Sequence, residues 1–138
     1  MAKMVLLASF LSIGGNDLSD RTSKVELVAE IEDKDVTTFA SLGWKEVLGG
    51  LASGSLGAVF KQDYAAAELD ATMWPLFLTR TPQAFEVRAD NAAAGPSNPK
   101  YTGFVLIKSW KPLAGSVGDV AEVDVSWPTS GAITRAVA

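Results

Sequence analysis

The sequence predicts a mainly β protein, an antiparallel β-sandwich or partial barrel with one flanking α-helix. Three observations carry this. Several stretches alternate apolar and polar residues with a period of two, the signature of a half-buried strand. Clusters of Gly, Pro, Asn and Asp separate them at short intervals, which leaves room for about seven strands. One stretch alone has helical composition, so nothing suggests the strand–helix alternation of a parallel sheet. At 138 residues the chain has the size of a single domain, residues 1–138, and can bury a core without staples.

Val5 to Ile13 reads as the first strand, closed by the turn formers Gly14, Gly15, Asn16 and Asp17. From Lys24 to Glu32 the alternation is clean: Val25, Leu27, Ala29 and Ile31 point one way, Glu26, Val28, Glu30 and Glu32 the other. Ser55 to Gln62 alternates again, with Leu56, Ala58 and Phe60 inward, and pairs with the previous strand as an extended hairpin. Asp63 is a suitable N-cap for an alanine-rich helix from Tyr64 or Ala65 to Trp74, with Leu69, Met73 and Leu76 as its apolar stripe. Pro75 should kink or end that helix. Ala84 to Ala89 is a short strand presenting Phe85 and Val87, and Asp90 to Pro99 an exposed loop. Tyr101 to Trp110 is the longest apolar strand, and Lys111 to Gly118 a loop marked by Pro112 and Gly115. Asp119 to Trp127 alternates with Val123, Val125 and Trp127 inward; Pro128 to Gly131 reads as a turn and Ala132 to Val137 as the last strand.

Between the hairpin strands, from Asp33 to Gly54, lies a long loop that is too apolar for a free one. It holds Val36, Thr37, Thr38, Phe39, Trp44, Val47, Leu48 and Leu51 among Gly43, Gly49 and Gly50. Loops above about 12–15 residues inside a compact domain are uncommon and tend to be functional or disordered. This one lacks the low hydrophobicity that disorder needs. Its apolar groups must dock on the domain's own core or on a neighbour.

Composition narrows the chemistry. The chain has no cysteine and no histidine, which excludes disulfides, thiolate nucleophiles, Cys/His metal sites and imidazole acid–base catalysis. Twelve Lys and Arg stand against sixteen Asp and Glu, a formal net charge of -4, which argues against gripping nucleic-acid phosphates. Hydrophobic residues make up 48% and charged residues only 20%, so apolar surface is left over for other subunits unless Ala and Gly inflate the count. Lys3 with the apolar run Met4 to Ile13 has the outline of a signal peptide, but one basic residue, the interrupting Ser9 and Ser12 and the lack of a cleavage site argue against it. The run is too short to span a bilayer, so no membrane insertion is expected.

Candidate chemistry is sparse. The glycine pairs at 14 and 15 and at 49 and 50 lack phosphate-loop spacing and read as turns. Asp33 with Asp35, or Glu30 with Glu32, are neighbours on one strand, better read as a solvated row than as a hydrolase pair. Asp17 with Asp20, and Asp119 with Glu122, do not follow a calcium-loop pattern. No cofactor, metal or catalytic residue is expected. Trp74, Trp110 and Trp127 sit at element ends where core anchoring explains them; Trp44 lies in the loop.

Along this central stretch the chain resembles the major tail tube proteins of long-tailed, siphovirus-like bacteriophages. The residues that carry the resemblance are the strand with Glu26, Glu30 and Glu32, the run Asp35-Val36-Thr37-Thr38-Phe39, and Trp44-Lys45-Glu46-Val47-Leu48-Gly49-Gly50-Leu51. It continues through Ser55-Leu56-Gly57-Ala58-Val59-Phe60, the helix after Asp63, Tyr101-Thr102-Gly103, Gly115 to Val120 and the closing Gly131 strand. Each motif is loose; their order is specific, and together they span most of the chain.

The resemblance implies a non-enzymatic virion protein assembled as hexameric rings that stack into a hollow tail. Inner sheets of six subunits would join around a lumen and long loops would reach the adjacent ring. Phage DNA would pass through without specific binding. The implied partners are copies of itself, a tape-measure protein, and the tail terminator and distal tail proteins. The implied location is the virion tail, with host cytoplasm as the assembly site. The greasy loop becomes an inter-subunit contact. The row Glu26, Glu30 and Glu32 becomes a candidate lumen face, where like charge keeps DNA sliding. Lys61, in the same outward phase, departs from an acidic lumen. The competing readings are a tail terminator or head–tail connector that stops at one ring, and a monomeric β-sandwich binding module using Trp44.

Overall fold

The computed structural model describes residues 3–138. Seven antiparallel strands form one sheet in the order β2-β1-β5-β6-β7-β4-β3, not closed into a barrel. The strands are β1 (Phe10–Ile13), β2 (Asn16–Asp17), β3 (Thr22–Asp35), β4 (Val47–Lys61), β5 (Gln83–Arg88), β6 (Lys100–Val105) and β7 (Glu122–Ala136); the helix α1 spans Leu69–Leu78. Gly14 and Gly15 join β1 to β2 with φ of 60° and 82°, the paired positive φ of a tight hairpin turn.

The sheet folds over on itself at β7. Glu122 to Pro128 pair with β4, while Thr129 to Ala136 pair with β6. One long strand therefore belongs to two layers, and the residues expected to make a turn, Pro128 to Gly131, instead bend it. Gly103 alone on β6 faces Gly131, Ala132 and Ile133, a bulge with Gly131 at φ 83°. Proline is tolerated there because the ladder changes partner at that point, and its carbonyl accepts Leu106 N–H at 3.0 Å.

The core fills the angle between the layers. Leu11, Ile13, Phe85, Val87 and Val105 come from one side, Leu56, Ala58, Phe60, Val123 and Trp127 from the other, and Leu69 and Met73 of α1 join them. The inward phases expected of these strands hold, apart from β3. There Val25 and Leu27 pack on the core, but Ala29 and Ile31 are exposed, Ile31 by 67%, because the facing layer ends before them.

Five other expectations shift. The first strand covers only Phe10–Ile13, since its partner β5 ends at Arg88, opposite Phe10; Met4, Val5, Leu6 and Leu7 stay exposed. β6 stops at Val105 because β7 has turned away beyond that point, although Ile107 and Trp110 remain buried. The helix begins at Leu69, not at Tyr64 or Ala65. Asp63 caps a turn, accepting Ala65 N–H at 3.0 Å, and Ala67 takes a φ of 62° that no helix continues through. Arg21 pairs with Asp63 and Glu68 and holds this connection. Pro75 does not end the helix; it lies on the exposed side, and the anchors Leu69, Met73 and Leu76 carry the turns around it. Trp74 is accordingly not a core anchor: it is 43% exposed and packs on Phe77, 5.5 Å between ring centres.

Candidate assembly surface

β3 and β4 pair from Thr22 opposite Phe60 to Asp35 opposite Val47, so the connecting loop is only residues 36–46. The long loop expected between Asp33 and Gly54 is thus largely strand. Val47, Leu48 and Leu51 lie on β4, and Gly49 and Gly50 are strand residues instead of a turn. Where Gly50 and Leu51 together face Glu32 the ladder carries a bulge, and the Glu32 carboxylate accepts Leu51 N–H at 3.2 Å. A Cβ at 50 would stand 2.8 Å from Glu32 Cγ, so a larger residue there would push the Glu32 side chain off this position. Apolar content misled here because an exposed strand and an apolar loop look alike without the partner ladder.

β7 supports β4 no further than Ser55. Beyond Gly54 the hairpin is a two-stranded arm, paired only with itself and exposed from Glu32 to Leu51 apart from the half-buried Ser41. Gly54 marks the boundary: a Cβ there would come within 2.6 Å of Ile133 Cδ1 and 2.8 Å of the Val28 carbonyl, so only glycine lets β7 cross so close. Two-stranded ribbons are marginal in water. This one also displays Ile31, Val36, Phe39, Leu42, Trp44, Val47, Leu48 and Leu51, with Trp44 78% exposed.

The tip of the arm is nevertheless ordered by local polar bonds. Thr38 and Ser41 cap each other around a 3-10 turn at Phe39–Ser41, and Leu42 closes it at φ 54°. Thr37 Oγ1 accepts Glu46 N–H at 2.8 Å, Asp35 accepts Thr37 N–H at 2.8 Å, and Val36 N–H donates to the Glu46 carbonyl at 3.0 Å. The Thr37 hydroxyl and then the Thr37 backbone N–H hold the Asp35 carboxyl below its ordinary range. Phe39, Leu42 and Trp44 are therefore presented on a preformed frame. Burying three such side chains is worth about 1.5–3 kcal/mol each before association costs, and a preformed frame lowers those costs. Thr37 and Thr38 spend their hydroxyls on the frame itself.

β3 is an edge strand with no partner along its outer side among the described residues. A bare edge of 14 residues is a template for another strand unless it is blunted. On its outward face stand Glu26, opposite Gly57, and Glu30, opposite Ser53, both exposed and in none of the ion pairs among the described residues. Glu32, the third of the row, pairs with Lys34 at 3.2 Å. The neighbouring positions on this face are small: Ser53, Ser55, Gly57 and Ser126. Lys61 pairs with Glu122 and Lys111 with Asp124, so two lysines near this face are matched by acids; Lys24 shares the face without a partner there.

The sequence reading did not offer as contact residues Leu42, Ile31, which it placed on the apolar face of its strand, the segment Met4 to Leu7, which it gave to the first strand, or Leu113, Val117 and Val120 in the loop before β7; all are exposed. The loop residues carried the same signal as the arm, apolar side chains beside Pro112, Gly115 and Gly118.

No protein-family profile matches the sequence, and no curated protein matches it. Solved structures do match. A chain in the virion of a native gene transfer agent particle shares the fold with a TM-score of 0.72 and 20% identity, over 92% of this chain and 94% of that one. A chain in the tail of an empty gene transfer agent particle, refined helically with C6 symmetry, gives 0.70 and 22%, over 93% of each. The fold is that of these particle proteins, which agrees with the phage tail resemblance of the sequence.

Proposed function

We propose that this chain is a structural tail protein of a phage-like particle, the major tube subunit, whose 138 residues act as one unit in hexameric rings that stack into a hollow tail. The observation that carries the reading is the arm: a preformed, apolar, two-stranded extension that no other described residue covers, beside a bare 14-residue strand edge. A ring requires unlike patches on each subunit, and the edge and the arm are unlike patches. The likeness to a chain of a C6-symmetric tail supports rings of six. Val36, Thr37, Thr38, Phe39, Trp44, Val47, Leu48 and Leu51 form the inter-subunit element in this reading. Glu26, Glu30 and Glu32 face the bore, where the carboxylates of Glu26 and Glu30, in none of the ion pairs among the described residues, repel phosphate and leave DNA free to slide. A tape-measure protein sets the length, and terminator and distal tail proteins close the ends. The protein acts without catalysis.

Negative-stain electron microscopy of concentrated protein, with mass measurement on the same sample, tests this. Hollow stacked filaments are expected. Hexamers that never stack would assign it instead as a terminator or connector ring, and a strict monomer at all concentrations would overturn the proposal in favour of a binding module.

A further inference from the structure

We infer that the Pro112–Val120 loop, with Tyr64 beside it, is the seat on which the arm tip of a second copy rests. This stands on the stacked-ring reading above and names the surface that receives the arm.

The topology puts the two patches at opposite ends. The tip closes the hairpin where Asp35 meets Val47, while Lys61 at the open end faces Glu122, so the loop leading into β7 emerges at that far end. Fourteen residues of strand at about 3.3 Å each separate them by roughly 43 Å, so they cannot meet within one chain.

The loop is held in place at both ends. Tyr64 Oη donates to the Pro112 carbonyl at 2.6 Å, as does Gln62 Nε2 at 3.2 Å; Gln62 N–H donates to the Ala121 carbonyl at 2.9 Å, and Lys111 pairs with Asp124 at 2.8 Å. Within it Asp119 N–H closes a turn on the Ser116 carbonyl at 3.1 Å. Its polar groups thus bond inward, while Leu113, Val117, Val120 and the ring of Tyr64 face out.

Tip-to-tip pairing would be symmetric and would stop at two copies; tip-to-seat pairing is head-to-tail and propagates.

The chain has no cysteine, so paired substitutions report the contact cleanly. A Lys45→Cys, Ser116→Cys double variant, assembled and bridged with a short bismaleimide, should give a ladder of covalent multimers on denaturing gels, and each single variant none. Mixing the two single variants should give covalent dimers only. Tubes seen by electron microscopy without any ladder would overturn the seat and leave the tube reading standing; protein that forms neither rings nor tubes would overturn both. As a second measurement, Val117→Asp should shorten tubes at least tenfold while the unfolding midpoint stays put. Tubes of full length from that variant would overturn the seat.

Discussion

The two halves of one hairpin live under different physical regimes. From Thr22 to Val28, and from Ser55 to Lys61, β3 and β4 are part of a wall: β7 pairs with β4, and Leu56 and Phe60 are fully buried. From Glu30 to Ser53 the same ladder continues with no third strand and no facing layer among the described residues, and Leu48 is 63% exposed. Chemically the halves are alike, both rich in Leu, Val, Ala and Gly. What separates them is the reach of β7. The supported half is packed into the subunit's core; the free half carries apolar area that no other described residue covers, which the proposed function assigns to association.

That division is open to direct attack. The largest effect is expected where β7 supports the hairpin: Trp127→Ala, opposite Leu56, removes a fully buried ring and its Nε1 donation to the Ser109 carbonyl at 2.8 Å, and should cost about 3–5 kcal/mol in urea unfolding. At the boundary, Gly54→Ala drives a methyl into Ile133 and the Val28 carbonyl and should cost about 1–3 kcal/mol, measured the same way. In the free half, Phe39→Ala or Leu48→Ala should change unfolding by no more than about 0.5 kcal/mol. Sedimentation velocity should nonetheless show assembly shifted to much higher concentration. Unfolding of either variant's isolated subunit at clearly lower denaturant would break the division, because the arm would then be supporting the fold.

The smallest effect concerns acid. The Ser19 hydroxyl, at 2.6 Å, and then the Ser19 backbone N–H, at 2.9 Å, bond the Asp17 carboxylate and hold it below its ordinary value of 3.8, with Arg88 and Arg21 adding to this. A carboxyl lowered by folding stabilises the protein above its unfolded value, and that contribution disappears as pH falls through the folded one. Asp17→Asn should therefore flatten the stability profile slightly below about pH 4 and leave assembly untouched. Asp17 sits at the β1–β2 hairpin, remote in the sheet order from the arm, so an effect on assembly there would contradict the proposed surface.

Much of the supported half was legible because burial on one face imposes a period of two. Leu56, Ala58 and Phe60, Val123 and Trp127, Phe85 and Val87 each follow that rhythm and each lie in the core. The arm was legible only as an anomaly, apolar residues where a loop was expected. Its strand character was hidden because Val47 to Leu51 has no buried face to impose alternation and carries a bulge that shifts its phase. The acidic row Glu26, Glu30 and Glu32 was readable as one face. Which of them is free was not: Glu32 is taken by Lys34 and by the Leu51 amide, contacts that depend on the bulge.

By itself the sequence determined the class of fold, the place of one helix, the inward residues of most strands and the absence of cysteine and histidine chemistry. These follow from local periodicity and from which side chains exist at all. Tertiary structure alone decided how far each element runs. β1 and β6 stop where their partners leave, α1 starts where Leu69 can reach the core, and β7 passes through Pro128 and Gly131 without turning back. Strand ends are set by hydrogen bonds to residues far away in the chain, and no local pattern records them.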